Sequence, residues 1–146
     1  MDRSIILAVD VDRDAPSVFR MSSTTEGQRA FWTADCEVGA DRARFGFPQA
    51  PMDLEAAVST QEDRLVRMRV TSGFPFWEGS TWEWELGAAT RAGTGMGVLF
   101  RHYGFGEGYA EADLGHTAHT WALILDRLAM YAASETPQPF FPAAAA

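Results

Sequence analysis

Apolar and polar residues alternate along most of this chain, and helical spacing replaces the alternation in only two places. Ile5, Leu7, Val9 and Val11 alternate with other residues, which predicts a strand over Ser4 to Asp12. Asp14 then suits a helix N-cap and Pro16 the first helical turn, with Val18, Phe19 and Met21 on the apolar side of a short helix. Ser22 to Thr25 interrupts it, and Glu26 to Trp32 predicts a second short helix ending on Ala30, Phe31 and Trp32. From there the period is two. Cys36 to Val38 and Arg42 to Phe47 flank Gly39-Ala40-Asp41, a hairpin signal, and Pro48 and Pro51 mark the following turn. Leu54, Ala56 and Val58 alternate, as do Val66, Met68 and Val70, across Gln61-Glu62-Asp63. A longer loop opens at Gly73 and Pro75 and carries Phe74, Phe76 and Trp77. Trp82, Trp84, Leu86 and Ala88 form one more alternating set, and Met96, Val98, Phe100 and His102 the last, joined by a tight turn at Ala92-Gly93.

A Gly-rich hinge, GFGEGY, separates this meander from one long helix over Ala112 to Ser134. Leu114, Ala118, Trp121, Leu125, Leu128 and either Tyr131 or Ala132 recur at helical spacing and define its buried stripe. The tail, TPQPFFPAAAA, has no periodicity; residues 137–146 are expected to be flexible, with Phe140 and Phe141 able to dock locally. An antiparallel meander has one face that needs cover, and the long helix is the only element large enough to provide it. The predicted architecture is therefore α+β: about seven antiparallel strands curved around a long C-terminal helix, two short helices after the first strand, and one domain over residues 1–136.

Composition narrows the function classes. A chain of 146 residues with 47% hydrophobic content suffices for one domain with a real core. The net charge of -8 argues against nucleic acid, whose phosphates need a basic face, and against an anionic membrane surface. No apolar run reaches the ~18 residues that span a bilayer. The N-terminal apolar stretch is short and interrupted by charge, which fits a cytoplasmic address rather than a signal peptide. A lone cysteine, Cys36, rules out an intrachain disulfide and fits the same compartment.

Several segments resemble a known superfamily. VDVDRDAPSVFRMSST is similar to its strand followed by a proline-initiated helix with a Val-Phe pair, and Phe31-Trp32 to the aromatic pair closing its second helix. The likeness is best in GTGMGVLFRHYGFGEG followed by TWALILDRLAMY, where His102, Gly104 and Phe105 precede Trp121, Leu125 and Leu128. These residues resemble the SRPBCC superfamily, the START or helix-grip fold, and within it the branch related to the activator of the heat-shock ATPase. The resemblance implies a hydrophobic cavity between sheet and long helix, used in the superfamily for lipids, sterols, polyketides or hormones, and by some members for cyclase chemistry. The loop SGFPFWEGSTWEWE is richer in aromatics than the usual pattern, and the eukaryotic co-chaperone carries an additional N-terminal domain.

The candidate chemistry points to binding more than to catalysis. His102 shares the inward face of Met96, Val98 and Phe100, where an imidazole can anchor a polar ligand group, act as acid or base, or close a core hydrogen bond. His116 and His119 lie off the buried stripe and read as solvent-facing, without a zinc motif beside them. With Trp82 and Trp84 inward, Glu83 and Glu85 face solvent, within reach of Arg67 and Arg69 if those strands neighbour. Cys36 has no neighbouring base to activate it. Phe74, Phe76 and Trp77 read as a pocket lid, a partner patch or local packing. The expected ligand-binding set is Trp32, Phe45, Met68, Trp77, Trp82, Trp84, Phe100, His102 and Trp121. It would take an apolar or aromatic small molecule without metal or cofactor. A cyclase- or hydrolase-like enzyme and a co-chaperone-like interaction protein are the alternatives, and a protein partner or homodimer remains open.

Overall fold

A computed structural model describes residues 3–143 apart from 92 and 94. The tight turn expected at Ala92-Gly93 and the last residues of the tail therefore lie partly outside the described residues. Seven antiparallel strands form one sheet in the order β1-β7-β6-β5-β4-β3-β2. They are β1 (Ile5–Val11), β2 (Cys36–Val38), β3 (Arg42–Phe45), β4 (Leu54–Gln61), β5 (Leu65–Ser72), β6 (Thr81–Ala88) and β7 (Met96–Tyr103). Helices α1 (Ala15–Ser23) and α2 (Thr25–Phe31) connect β1 to β2, and α3 (Glu111–Ser134) closes the chain. The α+β architecture read from the alternation is the one observed.

Local chemistry explains the boundaries. The Asp14 carboxylate accepts from the Ser17 amide at 3.2 Å, capping α1, and the Thr24 hydroxyl accepts from the Gly27 amide at 3.1 Å, capping α2. The helices meet so closely that a Cβ on Gly27 would lie 2.0 Å from the Met21 carbonyl oxygen, so only glycine fits. In β6, Gly87 adopts φ 91° where the register to β7 shifts between Leu86 and Ala88, a bulge that keeps Leu86 inward. β3 ends at Phe45, two residues earlier than the pattern predicts, and Phe47 belongs to the turn that follows.

The inward register is settled by burial. Trp82, Trp84, Phe100, Met68, Val66 and Phe45 are all fully buried on the inward face, and α3 contributes Trp121, Ile124, Leu125, Leu128 and Ala132 to the same core. Trp121 sits at the centre of this layer, 4.5 Å from Phe100 and 5.7 Å from Trp82 between ring centroids. On the opposite sheet face, Arg67, Glu83 and Arg101 are direct cross-strand neighbours. Glu83 points outward as expected, yet it is 5% exposed. The Arg67 guanidinium donates twice to its Oε2, at 3.0 and 2.9 Å, and Arg101 approaches Oε1 at 3.7 Å. Arg69 faces Thr81 rather than a carboxylate, and Glu85 pairs with Arg101 at 3.4 Å. Two long arginines beside a central glutamate cover it without burying an unpaired charge.

The segment after α3 is tied down over 138–141. The Gln138 and Phe141 amides donate to the Ala30 and Trp32 carbonyls, both at bonding distance, and the Ala34 amide donates to Phe141 at 2.9 Å. Among the described residues, no helix is long and apolar enough to cross a membrane.

Candidate functional site

An open groove of about 670 Å³ lies between the first half of α3, the turn after β3, the loop after β5 and the docked tail. Each element contributes for a local reason. Pro48 stops β3 from continuing, so Phe47 turns toward the groove. Loop residues Phe74 and Trp77 fold back as a turn, with the Trp77 amide donating to the Phe74 carbonyl at 3.1 Å. The tail pairs beside Thr33 and so delivers Phe141. Helical spacing places Asp113, His116, Thr117 and Thr120 on the groove side of α3, in line with Trp121 and Ile124.

Aromatic rings dominate the walls. Phe47, Phe74, Trp77, Trp121 and Trp32 form a closed circuit of neighbouring rings, with successive centroid separations of 5.5, 5.3, 6.4, 5.0 and 5.7 Å. Phe141 extends it from Phe47 at 5.1 Å. Along the α3 side runs a polar edge. The Thr117 hydroxyl donates to the Asp113 carbonyl at 2.8 Å, so the Tyr109 hydroxyl, 2.8 Å from the Thr117 oxygen, is the donor there and accepts from the Trp77 indole N–H at 3.1 Å. This relay joins the loop after β5, the Gly-rich segment and α3 at the groove's edge.

Beneath the groove lies His102, fully buried. The Trp121 indole N–H donates to its Nδ1 at 3.1 Å, and Nε2 stands 2.9 Å from the Ser80 hydroxyl oxygen. An indole nitrogen can only donate, so Nδ1 is unprotonated and Nε2 carries the proton given to Ser80. Burial pushes the pKa of His102 down to about 3, and the imidazole is neutral. Both ring nitrogens are thus engaged by protein groups. Cys36 is also buried, and desolvation raises its thiol to about 11, far from a thiolate nucleophile.

The structure divides the sequence-derived set. Trp32, Trp77 and Trp121 line the groove. Phe45, Met68, Trp82, Trp84, Phe100 and His102 are fully buried in the layer behind it. His116, which helical spacing assigns to solvent, is exposed but stands on the groove wall. Tyr109, Ile124 and Phe141 also belong to the wall and were not in that set. The signal for the α3 edge was present as the spacing 113, 116, 117, 120, 121 and 124 on one helix face. For Phe141 there was none, because its position depends on where an aperiodic tail docks.

The molecule is therefore an α+β protein in which a curved antiparallel sheet holds a long helix, with an aromatic groove at the helix's N-terminal half. This is the helix-grip fold. No protein-family model matches the chain, and no curated protein matches it. Solved structures do. The Aha1 dimer protein from Colwellia psychrerythraea shares the fold at TM-score 0.73 and 16% identity, over 88% of this chain and 95% of that one. A protein from Staphylococcus saprophyticus matches at TM-score 0.73 and 14% identity, over 96% of this chain and 98% of that one. DynU16, of the dynemicin biosynthetic locus, matches at TM-score 0.73 and 13% identity; 98% of this chain is covered, but it spans only 52% of that one. At these identities the likeness establishes the fold.

Proposed function

We propose that this protein binds an apolar or aromatic small molecule in the groove between α3 and the turns at one end of the sheet. One observation carries the reading: a groove of about 670 Å³, within the size range of ligand sites, walled by a closed circuit of five aromatic rings and edged by a few polar groups. Binding is favoured over catalysis because His102 has both nitrogens engaged. Native mass spectrometry and thermal shift against a panel of neutral aromatic compounds test it. A binder raises the melting temperature progressively with ligand concentration, and Thr120→Trp, which fills the groove from α3, removes the shift. No binding across the panel, or equal binding to the filled variant, overturns the reading.

Self-association is a second reading. β1 is an edge strand and carries Ile6 at 63% exposure, and the Colwellia relative is a dimer. Sedimentation of the wild type beside Ile6→Glu tests it: a wild-type monomer at every concentration removes this reading.

A further inference from the structure

The charge of the groove selects among ligands. Four of its hydrogen-bond donors are already committed to protein acceptors: the Trp77 indole to Tyr109, the Tyr109 hydroxyl to Thr117, the Thr117 hydroxyl to the Asp113 carbonyl, and the Trp121 indole to His102. Among the described residues no arginine lines the groove, and the chain contains no lysine. An anion entering here would leave water for a surface with few free donors and no fixed cation, which is costly. A cation meets the opposite conditions. Aromatic rings present a negative face; Trp77, of the ring type that attracts cations most strongly, is partly exposed at the groove with Phe47 and Phe74, above the buried Trp32 and Trp121. The Asp113 carboxylate stands on the same wall, and the whole chain carries a net charge of -8.

We propose that the groove's occupant is an organic cation, an arylalkylammonium or quaternary ammonium compound, whose ring system lies against Trp77, Phe47 and Phe74 and whose charge lies between the aromatic circuit and Asp113. This inference rests on the groove being a binding site and adds the charge of what it binds.

Three probes of similar size separate the cases: naphthylmethyl-trimethylammonium, naphthylmethanol and naphthylacetate, titrated calorimetrically against the full chain. The cation is expected to bind about tenfold more tightly than the carboxylate, with the alcohol between. Asp113→Asn is expected to weaken the cation about threefold and leave the alcohol unchanged. Glu62→Gln, outside the groove, removes the same charge from the molecule and leaves all three probes unchanged. Naphthylacetate or naphthylmethanol binding as tightly as the cation overturns the inference while leaving a binding groove in place. Equal effects of Asp113→Asn and Glu62→Gln overturn it too, because the preference would then be a property of total charge. If none of the probes binds, the binding reading falls together with it.

Discussion

His102 shows how one side chain is half legible. Alternation with Met96, Val98 and Phe100 placed it on the inward face, and it is there. Its partners come from Ser80, just before β6, and from α3, 22 and 19 residues away, and no local pattern reports such pairings. Its burial has a pH consequence. The folded pKa of about 3 lies below the ordinary value of about 6.5, so on acidification the unfolded chain takes the proton first. The contribution to stability is full above about pH 6.5 and is lost progressively as pH falls toward 3, with a slope of up to about 1.4 kcal/mol per pH unit. Denaturant titrations between about pH 6.5 and 5 should show this slope in the wild type, and His102→Gln should flatten it. Gly27 makes the other residue-scale prediction. Its missing Cβ accommodates the Met21 backbone, which cannot retreat as a flexible side chain would. Gly27→Ala should cost about 1–3 kcal/mol or prevent folding, measured as the midpoint of chemical unfolding. A Gly in a helix pattern is visible in sequence; the backbone pressed against it is not.

At the scale of elements, α3 was read well along its buried stripe and incompletely along its groove side. Trp121, Leu125, Leu128 and Ala132 are buried as the spacing requires, and Ile124 joins them. Which polar face of its N-terminal half would stand beside a groove depended on the turns packed against it. The segment between β7 and α3 is held there chiefly by Tyr109, whose ring stacks on Phe105 at 5.1 Å while its hydroxyl links Trp77 to Thr117 and its carbonyl accepts from the Arg3 guanidinium. Tyr109→Phe keeps the stacking and the carbonyl bond but deprives Trp77 of its acceptor and Thr117 of a donor. The expected outcome is a loss of about 1–2 kcal/mol with faster amide exchange confined to residues 104–110 and the loop after β5. The outer sheet face gives the complementary case. Outward placement of Glu83 and its pairing with Arg67 followed from the alternation, but its burial needed Arg101 on the other neighbouring strand. Glu83→Gln leaves the Arg67 guanidinium without its charged acceptor, while Arg101 keeps Glu85, and should lower stability by about 1–3 kcal/mol, read from the unfolding midpoint.

The whole molecule depends on contacts between distant ends. Tail residues 138–141 bond to α2 and the following turn, and Phe141 packs on Phe47 to complete the groove wall. Ending the chain after Pro137 should therefore lower the melting temperature by several degrees and weaken binding of any groove ligand, while far-ultraviolet circular dichroism retains the sheet and α3 signals. Strand number, the order of elements, the inward tryptophans and the long closing helix were determined by the sequence alone. Those features follow from periods of 2 and 3.6 residues, which any local window displays. Only the tertiary structure decided where the open space lies. Phe45, Met68, Trp82, Trp84 and Phe100 share the inward face of the sheet in the pattern, yet they pack solidly behind the groove. Periodicity reports the direction of a side chain and not the volume left beside it. That volume is set by side chains from α3, two loops and the tail meeting at one end of the sheet, at separations in the chain that no local pattern spans.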